Sequence, residues 1–209
     1  MNQNNHSASI EQHTHRDDVG ARLGMWLFLF TELLLFGGMF LVYAVYRFQY
    51  SEQFHLAGME LNTGVGTLNT IILLTSSLTV AMAITALQKK NKFLSLVLIA
   101  TTVILAFSFM VNKFFEWSTK FSHGIYWGSE ELSKRSDGEI MFFGLYYAMT
   151  GLHGLHVLVG MVLLSFMLVL ITKDKITYEN YVKLENSGLY WHLVDLIWIF
   201  LFPLFYLIQ

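Results

Sequence analysis

Apolar positions in this chain gather into long unbroken runs instead of alternating with polar ones. Residues 23–46, bounded by Arg22 and Arg47, form a 24-residue run whose one charge is Glu32. Residues 61–88 give 28 residues without a charge, and residues 93–112 give 20 more before Lys113 and Glu116 interrupt. Residues 140–172 make 33 uncharged residues, and residues 186–209 carry only Asp195. About 20 mostly apolar residues are needed to cross a bilayer as a helix. The pattern therefore predicts an all-α integral membrane bundle of five transmembrane helices. A barrel fits poorly, because its strands are about 10 residues long and alternate. Residues 1–19 are polar, and we expect a disordered N-terminal tail followed by one five-helix domain over residues 20–209. The tail lacks a basic start followed by an apolar core, so it does not read as a cleavable signal.

Composition narrows the function classes. Apolar residues make up 55% and charged residues 13%, against about 25% charged in ordinary soluble domains. That hydrophobicity excludes a disordered chain. The absence of cysteine excludes disulfides and thiolate metal or redox sites. A net charge of −2 argues against a broad nucleic-acid surface. Lys and Arg divide unevenly between the two sides of a five-span topology. Arg16, Arg22, Lys89, Lys90, Lys92, Lys173, Lys175 and Lys183 share one side; Arg47, Lys113, Lys120, Lys134 and Arg135 fall on or towards the other. The positive-inside rule then predicts a cytoplasmic N-terminus and an external C-terminus.

Ionisable residues at membrane depth are costly and mark function or pairing. Lys113 and Glu116 stand three apart, which puts them on one helix face. They read as an interfacial structural pair, part of a proton or ion path, or a partner contact. Glu32 has no opposite charge close in sequence. It reads as a neutral buried acid or as a proton-linked or lipid-contacting carboxyl. Asp195 follows His192 by three residues, which predicts a direct Asp–His hydrogen bond fixing the imidazole. His153 and His156, also three apart, either pack with interhelical hydrogen bonds or share a metal. Gly151, Gly154 and Gly160 predict close packing of their helix. The hydroxyls of Thr70, Thr75, Ser76, Ser77, Thr79 and Thr85 predict that the second span lies among other helices.

Several segments, in order, resemble subunit III of the haem–copper oxidases (cytochrome c oxidase subunit III) in its short, five-helix bacterial form. Thr31-Glu32 followed by LLLFGGMF is similar to S-E-x-x-F-F-x-x-F-F. Residues 68–77, LNTIILLTSS, are similar to L-N-T-x-x-L-L-x-S-S, and Glu116-Trp117 to E-Y or E-W. TGLHGLHV at 150–157 is similar to T-G-F-H-G-L-H-V, and Glu185 through Trp198 to E-x-x-x-x-Y-W-H-F-V-D-x-x-W. The resemblance runs from about Gly20 to the C-terminus. It implies an accessory subunit of a terminal oxidase that couples oxygen reduction to proton translocation in a bacterial plasma membrane. It also implies packing on subunit I, with subunit II and phospholipid as further partners. Haem and copper would sit in the partner subunits, with no redox centre, catalytic residue or metal in this chain. Glu32 and Glu116 then correspond to buried acidic, proton- or lipid-linked positions. Lys113, His153, His156, Glu185, His192 and Asp195 correspond to structural or lipid-contacting polar positions. Lys113 departs from the Gln common in oxidase members. A K-x-x-E-W with Lys120 following is closer to a branch found beside nitric oxide reductases. A quinol oxidase subunit, or an autonomous channel or transporter, are the other readings.

Overall fold

The computed structural model describes residues 18–126 and 128–207, with the backbone of residues 3–17 in addition. Most of the expected tail, residues 1–19, thus falls outside the residues described with side chains. The helices are α1 (Gln3–Gln49), α2 (Ser51–Met59), α3 (Thr63–Gln88), α4 (Lys92–Ser122), α5 (Glu130–Ser133), α6 (Asp137–Thr172) and α7 (Val182–Phe202). A π-helical turn, Pro203–Leu207, closes the described chain. Five segments are long and apolar enough to span a membrane: Asp18–Gln49, Thr63–Gln88, Lys92–Ser122, Asp137–Thr172 and Val182–Leu207. No strand occurs among the described residues.

Local chemistry sets the helix ends. Asn62 and Asn91 cap α3 and α4 by accepting hydrogen bonds from the Val65 and Leu94 amides, which satisfies donors left open at a helix start. Ser136 and Glu139 form a capping box at α6. Helices α3 and α6 stop where Lys90 (φ 63°) and Asp174 (φ 57°) turn left-handed. There the Asn91 and Lys175 amides reach back to the Ala86 and Leu170 carbonyls.

The bundle is built around α7, which packs against α3, α6 and α1, while α3 and α4 form the tightest antiparallel pair. Trp191 and Trp198 of α7 are fully buried. Their indole N–H groups donate to Ser76 Oγ and Thr70 Oγ1 of α3, both at 3.0 Å. Of the span-two hydroxyls, Thr70, Ser76 and Ser77 thus meet α7 and Thr79 meets Thr102 of α4 at 2.8 Å, while Thr75 and Thr85 bond back to their own helix. A Cβ on Gly160 would stand 2.7 Å from the Trp191 ring, so glycine lets α6 approach α7. Gly151 lies against Trp117 similarly, but nothing approaches Gly154 within 4 Å. By contrast α1 buries few residues: Leu29, Phe36 and Tyr43 face the bundle, and Leu23, Trp26, Leu27, Phe30 and Leu34 are exposed.

The structure departs from the apolar runs at α4. The run of residues 93–112 ends at Lys113, yet the helix continues to Ser122. Its charges find partners inside the bundle, so they do not end it. The short helices α2 and α5 lie in the two connections at one end of the bundle.

Candidate functional site

Three polar groupings lie within the bundle. The first centres on α4. Lys113 Nζ donates to Glu116 Oε2 at 3.1 Å, to Tyr146 Oη at 3.2 Å and to Tyr206 Oη at 2.9 Å. Both tyrosine hydroxyls donate to Glu116 Oε1 at 2.6 Å. Lys113 is 7% exposed, so the ammonium and carboxylate exchange water for each other and two phenols. That network is what makes a buried ion pair tolerable. The spacing of Lys113 and Glu116 predicts their pairing. Tyr146 and Tyr206, 30 and 90 residues beyond Glu116, carry no local signal. Tyr206 reaches the pair from the π-helical turn after Pro203, and Gly66 leaves room for it: a Cβ there would stand 2.8 Å from the Tyr206 ring.

The second grouping joins α1 to α6. His156 Nε2 lies 3.0 Å from Glu32 Oε2, and His156 Nδ1 lies 2.8 Å from the Leu152 carbonyl. A carbonyl can only accept, so Nδ1 carries a proton. The Nε2···Oε2 contact then holds a single proton: a neutral imidazole accepts it from a carboxylic acid, or an imidazolium donates it to a carboxylate. Phe36 and Tyr190 flank the imidazole, with ring centroids 5.4 and 6.4 Å away. Glu32 has a partner that lies 124 residues away in sequence.

The third grouping joins α7 to α3. His192 Nδ1 faces Ser77 Oγ of α3 at 2.6 Å, while Asp195 Oδ1 has no hydrogen-bond partner among the described residues. A serine hydroxyl from the neighbouring helix thus holds the imidazole, where the spacing predicts Asp195. His153 is fully buried between Phe109 and Trp198, at centroid distances of 5.7 and 5.2 Å. Neither ring nitrogen has a hydrogen-bond partner there. The three spanning histidines thus face three separate surroundings.

Glu185 sits outside these groupings. It pairs with Arg22 at 2.8 Å and ties the start of α7 to α1. At the opposite end Arg135 bridges Glu60 at 2.5 Å and Glu139 at 3.4 Å. The Glu60 carboxylate holds the Arg135 guanidinium above its ordinary pKa through that hydrogen bond.

Five apolar spans with charges sealed into internal clusters define a polytopic α-helical membrane protein whose polar side chains mainly join its own helices. The chain belongs to the cytochrome c oxidase subunit III family, whose model matches residues 4–209. It is an accessory subunit of a haem–copper oxidase. It is 31% identical to cytochrome c oxidase subunit 3 of Yarrowia lipolytica, over 94% of this chain and 71% of that one. It is 28% identical to a heme-copper oxidase subunit I+III of Aeropyrum pernix, over 90% of this chain and 22% of the relative. A probable quinol oxidase subunit 3 of Staphylococcus saprophyticus is 29% identical, over 96% of this chain and 94% of the relative.

Proposed function

We propose that the chain packs on oxidase subunit I in a bacterial plasma membrane, with its N-terminus cytoplasmic, and supports proton-coupled oxygen reduction carried out by haem and copper in partner subunits. The Glu32–His156 contact carries this reading. A carboxyl and an imidazole sharing one proton inside the membrane are suited to exchanging it, or to positioning a lipid beside α1. The occurrence of subunits I and III in one Aeropyrum pernix chain supports packing against subunit I. Subunit II and phospholipid complete the expected partners, and Glu116, held by Lys113, Tyr146 and Tyr206, is the second buried acidic position. Lys113, His153, His192, Asp195 and Glu185 hold helices together.

A second reading rests on Lys113: its K-x-x-E-W setting favours association with nitric oxide reductase. Pull-down of the tagged chain in mild detergent, read by optical spectrum and mass spectrometry, tests both. Haem a- or o-type bands with a copper-containing subunit I are expected. A nitric oxide reductase partner would replace the first reading with the second, and a colourless chain without partners would overturn both. In the same complex, Glu32→Ala is expected to shorten sustained turnover while leaving initial haem reduction in place. Immediate loss of haem reduction would contradict the role given to Glu32.

A further inference from the structure

Two buried phenols share one base. Tyr146 Oη and Tyr206 Oη each donate to Glu116 Oε1 at 2.6 Å. An acceptor within about 2.6–3.2 Å is close enough to take the proton it faces. Tyr43, Tyr147 and Tyr190 donate to main-chain carbonyls instead, which are far weaker bases. A phenol that loses an electron becomes a strong acid. It holds the oxidation as a neutral radical only where a base receives its proton.

Tyr146 is also the inner end of a row of oxidisable rings. Its ring centroid lies 5.2 Å from that of Tyr147, which lies 5.4 Å from that of Trp117 on α4. Trp117 helps to wall a groove of about 370 Å³ between α4 and α6, together with Phe114, Gly151 and Leu155. Phe114 and Leu155 are exposed, so the groove opens on the apolar surface of the spans. Trp117 Nε1 is buried and has no hydrogen-bond partner among the described residues. An indole without a base beside it cannot settle as a neutral radical, so it passes the oxidation on. Tyr147, which meets the Ile125 carbonyl, does the same. The row therefore runs downhill from the groove to Tyr146.

The proton has a separate way out. Glu116 lines a pocket of about 330 Å³ with Asn62, Asn112, Thr119 and Lys120, open at the end of the bundle that holds α2. That pocket is polar and has room for several waters. A proton kept on Glu116 would leave Lys113 buried without its counter-charge, which is costly. Release to the pocket restores the pair.

We propose that Tyr146 is a radical site, giving one electron through Tyr147 and Trp117 to a peroxyl radical at the α4–α6 groove while its hydroxyl proton passes to Glu116. The Tyr146 Oη–H bond breaks, an O–H bond forms at Glu116 Oε1, and the tyrosine becomes a neutral phenoxyl radical. The electron reduces the peroxyl radical to a peroxide anion, which takes a proton from water to give the hydroperoxide. Glu116 then returns its proton to water in the pocket. Lys113 and Tyr206 hold the carboxylate in place. This activity goes beyond the accessory role and needs no partner subunit.

The chain has no cysteine, so Leu155→Cys in the groove wall takes a single thiol-reactive ruthenium polypyridyl label. Flash and quench then create a one-electron oxidant beside Trp117 in the full chain in detergent. Time-resolved absorbance and electron paramagnetic resonance are expected to show an indole radical giving way to a neutral tyrosyl radical. Tyr146→Phe is expected to lose the tyrosyl signal and leave the indole radical. Trp117→Phe is expected to slow tyrosyl formation, and so is heavy water, because the proton moves with the electron. A packing role alone would give no isotope effect. In liposomes of polyunsaturated phosphatidylcholine with a lipophilic azo initiator under air, the unlabelled chain is expected to lengthen the lag before peroxidation, and Tyr146→Phe to shorten it again. If Tyr146→Phe does not fold, Trp117→Phe and the isotope effect decide. A tyrosyl signal that survives Tyr146→Phe, formation at the same rate in heavy water, or an unchanged lag would each overturn the site. All of these are read on this chain alone, so a failed radical site and a failed oxidase partnership are told apart.

Discussion

Lys113 and Glu116 lose the hydration of two charges and regain it from each other and from Tyr146 and Tyr206. Removing one member leaves the other buried and uncompensated, which costs about 3–5 kcal/mol. Removing both leaves no buried charge, only the Tyr146 and Tyr206 hydroxyls beside the Trp198 ring. Glu116→Gln and Lys113→Met are therefore each expected to destabilise the chain by about 3–5 kcal/mol, while the double change Lys113→Met with Glu116→Leu destabilises it less than either. Denaturant titration in mixed micelles, read by tryptophan fluorescence, measures all three. Additive losses would mean that the pair does not act as a unit. The i, i+3 spacing makes this pair legible in the sequence. Its phenols are not, because their placement depends on α6 and the C-terminal turn arriving at one point. The same holds for His156 as the partner of Glu32, and for Ser77 as the partner of His192. Side-chain spacing within one helix says what shares a face, and nothing about what the neighbouring helix brings to it.

Hydrophobic run lengths give the five spans, because a bilayer fixes the length an apolar helix must have. They misplace the end of α4, where a window that stops at the first charge ignores the partners that keep the charge inside. They also miss α2 and α5, which are too short to register and lie among polar residues. Proline at 203 marks the change to a π-helical turn. Such turns insert one residue into the helical register and are frequent at functional sites; here the turn carries Tyr206 to the Lys113–Glu116 pair. Gly66 on α3 is the matching concession. Gly66→Leu is expected to push Tyr206 and Phe202 aside, destabilise the chain by about 1–3 kcal/mol and weaken the buried pair. Gly144→Ala on α6, where nothing lies within 4 Å of the added Cβ, is the control and is expected to be neutral. Thermal unfolding in detergent compares the two. An unshifted midpoint for Gly66→Leu would mean that Tyr206 does not need the space.

Across the whole molecule the two ends differ in charge, and this gives the orientation a direct test. The end holding the start of α1 and the α3–α4 and α6–α7 connections carries eight Lys and Arg, counting Arg16 and Arg22 with Lys89, Lys90, Lys92, Lys173, Lys175 and Lys183. The opposite end holds α2 and α5 and carries at most five, Arg47, Lys113, Lys120, Lys134 and Arg135. Positive charge resists translocation, so the first end is expected to stay in the cytoplasm. The chain has no cysteine, so one introduced thiol reports one position. Lys134→Cys beside α5 is expected to react with a membrane-impermeant maleimide in intact cells. Asn180→Cys in the α6–α7 connection is expected to react only after the membrane is opened. The reverse pattern would invert the topology.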